Sequence, residues 1–207
     1  MKLVENQIFH IYNRGNNRQP IFFNHENYLF FLRKIRTHLL PTCDLLAYCL
    51  MPNHFHLLIK TDSRTIAEVA KNNRGIAFTA FGVGMRTLLS SYTQAIQKQE
   101  HFTGSLFQQK TKAKQVSSDW SWQDYTSLCF RYILQNPVRA NLVQHPVDWP
   151  YSNCKDLFGQ RNGTLCNANL IGQELALHVN SIEDLLGTPL KEEDVIKVIK
   201  ARKPAVC

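Results

Sequence analysis

Residues 44–60 read Asp-Leu-Leu-Ala-Tyr-Cys-Leu-Met-Pro-Asn-His-Phe-His-Leu-Leu-Ile-Lys, and the punctuation of this stretch decides the fold. Residues 44–51 form an apolar run of strand length, Pro52-Asn53 reverses the chain, and residues 54–60 return as a second strand, which together predict a β-hairpin. Alternate side chains of a strand share a face, so His54, His56 and Leu58 point one way while Phe55, Leu57 and Ile59 point the other. The apolar trio can anchor the strand in a core while the two imidazoles project about 6–7 Å apart at the backbone, within reach of one metal ion. A plainer reading stays open here: His-x-His is also what an incidental polar face on a half-buried strand looks like.

Working outward, residues 7–12, Gln-Ile-Phe-His-Ile-Tyr, predict a first strand, and Asn13-Arg14-Gly15-Asn16-Asn17-Arg18 carries a turn signal, giving a basic loop. Asn24 can cap a helix whose apolar positions Tyr28, Phe31, Leu32, Ile35 and Leu39 form one stripe, with Arg33, Lys34 and Arg36 on the exposed side. Beyond the hairpin, residues 64–71 predict a short helix broken by Asn72-Asn73-Arg74-Gly75. A longer one covers 85–99 with Leu88, Leu89, Tyr92 and Ile96 on one face. The glycine-interrupted segment 78–84 is open between helix and loop. In 106–116 lysines alternate with other residues, so one strand face should be basic. Ser121-Trp122-Gln123-Asp124 opens a helix carrying Tyr132, which Pro137 is expected to end by pushing Asn136 out of the helical region.

The order strand, helix, two strands, helix, strand, helix predicts an α+β fold in which helices cover an antiparallel sheet. Residues 155–207, with Gly159, Gly163 and several asparagines followed by helical stretches near 181–187 and 191–201, predict a helical, partly separate C-terminal extension. The expected division is therefore 1–153 and 154–207.

Composition narrows the function. The 207 residues, 44% hydrophobic, can bury a real core, and 24 Lys+Arg against 16 Asp+Glu give a net charge of +8, which attracts polyanions, nucleic acid foremost. The N-terminal MKLVENQIFHIYNRG lacks an apolar signal core, and no apolar run approaches the roughly 20 residues that span a bilayer. The expectation is a cytoplasmic protein with no membrane partner. Six cysteines (Cys43, Cys49, Cys129, Cys154, Cys166, Cys207) form no Cys-x-x-Cys pair, which argues against a zinc ribbon or disulfide scaffold and for reduced packing residues.

Tyr132 and Asn136 lie four residues apart, one turn along a helix face. Tyr132 also fits a core-facing stripe with Tyr125, Leu128, Cys129 and Ile133, and Asn136 could be a C-terminal cap. Taken together, a tyrosine followed by Asn-Pro, in a basic chain that already carries two co-facial histidines, points to cleavage of a phosphodiester. His10, His25, His38, His101, His145 and His178 lack comparable partner spacing and read as ordinary polar or capping residues.

Three separated blocks resemble the single-tyrosine transposases of the HUH nuclease superfamily, and within it the REP-associated tyrosine transposases. They are His10-Ile11-Tyr12-Asn13-Arg14-Gly15, Met51-Pro52-Asn53-His54-Phe55-His56-Leu57-Leu58-Ile59, and Tyr132-Ile133-Leu134-Gln135-Asn136-Pro137-Val138-Arg139-Ala140, followed by Asp148-Trp149-Pro150-Tyr151-Ser152. With Gly104-Ser105-Leu106-Phe107-Gln108 between them, the similarity spans roughly residues 5–153. The resemblance implies a ferredoxin/RRM-like HUH fold, a divalent metal (Mg²⁺ or Mn²⁺) held by His54, His56 and Asn136, and Tyr132 as nucleophile. It implies cleavage and rejoining of single-stranded DNA near hairpins through a 5′-phosphotyrosine.

The DNA-binding candidates are Arg14, Asn16, Arg18, Lys110, Lys112, Lys114 and Arg139, with Tyr12, Phe107 and Trp120 available to stack on unpaired bases. Each lysine alone is equally well a solvated strand face. The competing readings are a catalytically idle protein that binds hairpin DNA or RNA, and a metal hydrolase using bound water. Oligomeric state is open between monomer and homodimer.

Overall fold

A computed structural model describes residues 2–71, 73–116, 122–175 and 186–200. Strands β1 (Ile8–Arg14), β2 (Asp44–Met51), β3 (His54–Lys60) and β6 (Lys112–Gln115) form one antiparallel sheet in the order β2-β3-β1-β6. Helices α1 (His25–His38) and α3 (Ala80–Glu100) are packed together. They cover one face through Phe31, Ile35, Leu88 and Tyr92 against Phe9, Ile11, Leu50, Phe55, Leu57 and Ile59. Helix α4 (Trp122–Arg139) covers the other face, where Cys129, Phe130, Ile133 and Leu134 meet Ile8, Ala47, Cys49, Met51 and Leu58. This is the expected α+β architecture, and the hairpin 44–51/54–60 forms at the predicted bounds. Asn24 caps α1, its side-chain oxygen accepting from the Asn27 amide at 3.1 Å.

Several local expectations are corrected. Asn13 and Arg14 belong to β1 rather than to a turn, because each is paired across the sheet with Phe55 and His54. Residues 64–71 are not one helix. A single turn, α2 (Ser63–Ile66), is followed by β4 (Glu68–Lys71), which pairs with β5 (Ala77–Thr79) as a second, two-stranded sheet. Helix α3 begins at Ala80, five residues before the predicted start, with the Thr79 hydroxyl accepting from Gly82. Gly84 is helical for a packing reason: a Cβ there would lie 2.2 Å from the His38 carbonyl oxygen, so its bare backbone lets α3 approach the end of α1.

Pro137 does not end α4. The helix runs on to Arg139, with Ala140 N–H donating to the Asn136 carbonyl and Leu142 N–H to that of Pro137, both at 2.9 Å. The chain then leaves through Asn141 at φ 54°, a left-handed position that asparagine tolerates. A proline inside a helix costs about 3 kcal/mol, which burial of Ile133 and Leu134 beside it offsets at about 1.5–3 kcal/mol each.

The Trp149–Asn153 segment lies along the outer side of β2. Leu50 N–H donates to the Tyr151 carbonyl at 2.9 Å, Asn153 N–H donates to the Tyr48 carbonyl, and the Asn153 side-chain oxygen accepts from Tyr48 N–H at 3.0 Å. An otherwise open sheet edge is thereby covered. Beyond it come α5 (Cys154–Leu157), α6 (Ala168–Leu175) and α7 (Glu192–Lys200). Cys154, Ile171, Leu175, Leu186 and Val198 join the α4 core. The buried Gln135 holds this part to α4, its amide donating to the carbonyls of Leu186 and Thr188 and accepting from Leu190 N–H. The helix expected near 181–187 lies largely outside the described residues, as do Trp120, His178 and Cys207. The five described cysteines are free thiols.

Candidate functional site

The register of β1 against β3 assembles the site. His10, Tyr12 and Arg14 stand opposite Leu58, His56 and His54, and residues directly across an antiparallel pair share a face. On the far side of β1, Tyr12 pairs with Lys112 and His10 with Lys114. All of these project on the side covered by α4. His54, His56 and Tyr132 line one cavity of about 410 Å³ together with Tyr12, Asn13, Arg14, Arg18, Asn53, Gln108 and Lys112. The Tyr132 ring lies edge-on to His56, centroids 5.7 Å apart, and the His54 and His56 rings are 4.9 Å apart. The tyrosine and the histidine pair thus meet within a single chain.

Each imidazole has its Nδ1 engaged. His54 Nδ1 lies 2.6 Å from the side-chain oxygen of Asn53, whose amide nitrogen donates to the Arg18 carbonyl at 3.2 Å. His56 Nδ1 lies 2.8 Å from Nε2 of His10. Nε2 of His56 is buried without a hydrogen-bond partner. Burial, with Arg14 nearby, pushes the His54 pKa down to about 4, and burial with Lys114 nearby pushes that of His10 to about 3. Burial, reinforced by His10 and His54, holds His56 well below the usual histidine range. At neutral pH these rings are uncharged and carry lone pairs, the form in which histidine binds metal. The orphaned His56 Nε2 is the nitrogen a cation would satisfy, so the donor set fits a divalent ion. Among the described residues no group of three or more His, Cys, Asp or Glu side chains is arranged to hold a metal. An ion here would rest on two imidazoles completed by neutral oxygen donors.

Asn136 is less well placed than expected for such a donor. It is buried, outside the cavity lining, and its amide nitrogen donates to the Tyr132 carbonyl at 2.8 Å. Burial raises the Tyr132 phenol above its ordinary pKa, opposed by the Asn136 side chain and the charge of Arg139.

The cation candidates separate. Arg14, Arg18 and Lys112 are exposed and line the cavity. Lys110 and Lys112 also line a larger groove of about 1200 Å³ bordered by Phe78, Arg86 and Gln94 of the β5–α3 side. Asn16 is exposed beside the cavity loop, its backbone N–H donating to the Leu106 carbonyl, and Arg139 is exposed at the end of α4. Lys114 is turned inward: its ammonium donates to the Val198 carbonyl of α7 and sits over the Tyr125 ring. Phe107 cannot stack on bases, because it is packed in the α1/α3 core against Phe31, Phe55 and Tyr92.

Sequence reasoning missed Asn53 and His10. His10 reads as an ordinary polar residue by spacing, yet it is buried against His56. The available signal was its alternation with Tyr12 and Arg14 on one strand face.

No protein-family model and no curated protein matches the chain. Among solved structures, that of a REP-associated tyrosine transposase bound to a REP hairpin matches with a TM-score of 0.53 at 15% sequence identity, covering 81% of this chain and 88% of that chain. At that identity the likeness establishes the fold alone, helices packed over an antiparallel sheet. No described helix is long and apolar enough to cross a membrane.

Proposed function

We propose that the protein is a metal-dependent single-stranded DNA transposase or endonuclease that cleaves and rejoins strands near hairpins through Tyr132. The single observation that carries this reading is that the Tyr132 phenol and the imidazoles of His54 and His56 line one cavity rimmed by Arg14, Arg18 and Lys112. The solved hairpin-bound transposase that shares the fold supports a nucleic-acid substrate.

A phosphodiester is anionic and repels nucleophiles, so positive charge around the scissile group is the first requirement. Arg14, Arg18 and Lys112 would draw the backbone in and orient it. His54 and His56 would hold a divalent ion through Nε2, with Asn136 the candidate oxygen donor. When bound, the ion supplies Lewis-acid neutralisation of a non-bridging oxygen. Tyr132 is a phenol at neutral pH, since its burial favours the protonated form, and it must lose that proton as it attacks. Its oxygen would form a bond to phosphorus while the bond from phosphorus to the 3′ oxygen breaks. The departing 3′ oxygen takes up a proton, leaving a free 3′-hydroxyl and a 5′-phosphotyrosine. One phosphoester bond replaces another, so a second 3′-hydroxyl can reverse the step on a new strand and no ATP is needed.

A second reading, an idle hairpin-binding protein with the same surface, draws support from the two-imidazole donor set, which among the described residues is joined by no acidic or third histidine ligand. Covalent trapping separates the two. Wild type and Tyr132→Phe are incubated with labelled hairpin oligonucleotides and Mn²⁺, then run on a denaturing gel. A denaturant-stable adduct with the wild type alone is the expected result. Adducts with both proteins would remove Tyr132 from its role, and adducts with neither would leave the binding protein.

A further inference from the structure

His10 has no part in the reaction just outlined, yet it occupies an unusual place. It is almost fully buried on the sheet face under α4, opposite Leu58 and Lys114, and its Nε2 lies 2.8 Å from His56 Nδ1 with the rings 5.0 Å apart. The other nitrogen of each ring, His10 Nδ1 and His56 Nε2, is buried with no partner. An aliphatic side chain in the position of His10 would remove the unpartnered Nδ1 but would strand the buried His56 Nδ1, so the two rings form a matched pair.

Counting protons shows what the pair can do. A neutral imidazole carries one N–H and one bare nitrogen. If His10 donates from Nε2, His56 must keep its own proton on Nε2, and that nitrogen is closed to any cation. If His56 donates from Nδ1, His10 keeps its proton on Nδ1, and Nε2 of His56 is a bare lone pair beside the cavity that His56 lines. Only the second arrangement is compatible with a ligand role for His56. The matching bond from His54 Nδ1 to the Asn53 oxygen admits one direction only, because an amide oxygen accepts, and it likewise leaves His54 Nε2 bare.

The geometry points to His10 as the positioning residue of the metal site: its Nε2 accepts the His56 Nδ1 proton, fixes the ring orientation, and presents the His56 Nε2 lone pair to a divalent cation. This rests on the proposed function insofar as it assumes that a cation binds at His54 and His56. It adds a residue that acts through His56 without touching the ion. Outer-sphere partners of this kind raise ligand basicity and hold the tautomer.

The test uses the full chain. Mn²⁺ binding is titrated calorimetrically for wild type, H10F and H10Q, with circular dichroism confirming that each is folded. H10F keeps a ring but offers no acceptor, and should weaken Mn²⁺ binding by roughly 10- to 100-fold. H10Q, whose amide oxygen can accept from His56, should recover most of that loss. In parallel, ¹⁵N-histidine NMR of the wild type loaded with diamagnetic Zn²⁺ should find the His56 proton on Nδ1. The inference is overturned if H10F binds Mn²⁺ within about twofold of wild type, if H10Q shares the loss in full, or if His56 carries its proton on Nε2 in the Zn²⁺-loaded protein. Should H10F fail to fold, H10Q and the wild-type NMR measurement decide. A wild type that binds neither metal would overturn the proposed metal chemistry along with this inference, whereas an unchanged H10F overturns this inference alone.

Discussion

The side-chain oxygen of Asn53 sits 2.6 Å from Nδ1 of His54, and the same side chain's nitrogen donates to the Arg18 carbonyl at 3.2 Å. One amide at the β2–β3 turn therefore orients a candidate metal ligand and ties it to the basic loop. Backbone bonds reinforce the link, from Gly15 N–H to the Asn53 carbonyl and from Ile21 N–H to the Pro52 carbonyl, both 2.8 Å.

Replacing Asn53 should consequently damage ion binding more than folding. Asn53→Ala loses hydrogen bonds at a partly exposed turn, worth about 1 kcal/mol, but it frees His54 to rotate and should weaken Mn²⁺ binding by roughly tenfold or more. Denaturant unfolding and calorimetric titration measure the two quantities side by side. A variant with unchanged Mn²⁺ affinity would refute the orienting role.

The lysines of β6 should behave differently although they are two residues apart. Lys112 opens on the cavity and is exposed, whereas Lys114 donates to the Val198 carbonyl. Lys112→Ala should lower affinity for single-stranded DNA and reduce the slope of log affinity against log salt by about one unit, while Lys114→Ala should leave that slope unchanged and lower stability. Fluorescence anisotropy over a salt series decides, and equal slopes for the two variants would contradict the assignment.

Gly84→Ala sets two magnitudes against each other. Alanine gains about 1 kcal/mol in helix propensity, but its Cβ would stand 2.2 Å from the His38 carbonyl oxygen, and an overpacked contact costs about 1–3 kcal/mol or more when backbone must move. The expected net effect is a loss of up to roughly 2 kcal/mol, seen as a melting temperature lowered by up to about 8 °C. A rise in melting temperature would show that α1 and α3 can separate freely.

Acid should unfold the protein through its buried histidines. In the unfolded chain a histidine titrates near 6.5, whereas in the fold burial pushes His54 down to about 4, His10 to about 3 and His56 well below its usual value. Between these limits the unfolded state binds protons that the folded state refuses, so the stability present above pH 6.5 is lost as pH falls toward 4. Each such histidine adds a slope of about 1.4 kcal/mol per pH unit in that window. Urea unfolding at pH 7, 6 and 5 should show the decline, and His10→Phe should flatten it. Equal slopes in the two proteins would mean that His10 titrates alike in the folded and unfolded chain and that its burial does not exclude the proton.

Much of the architecture is legible in the sequence. The hairpin 44–51/54–60, the Asn24 cap and the opposed faces of β3 all follow from local chemistry: strand alternation, a capping side chain, a Pro-Asn reversal. The failures share a cause. Residues 68–71 look helical by composition but are paired with 77–79, and Pro137 looks like a stop but lies where Ile133 and Leu134 are already buried. In both cases contacts made elsewhere outweighed a local preference of a few kcal/mol.

The site divides along the same line. His54 and His56 on one strand face, and Tyr132 one turn from Asn136, were readable from residue spacing alone, because periods of two and 3.6 residues are properties of the backbone. That His10 stands against His56, that Asn53 holds His54, that Lys114 turns inward and that Phe107 is core were decided only by the tertiary structure. The registers of β1 against β3 and β6 and the choice of covering helix depend on pairings 40 or more residues apart in the chain, and their free energies are sums over a whole interface that no short stretch of sequence contains.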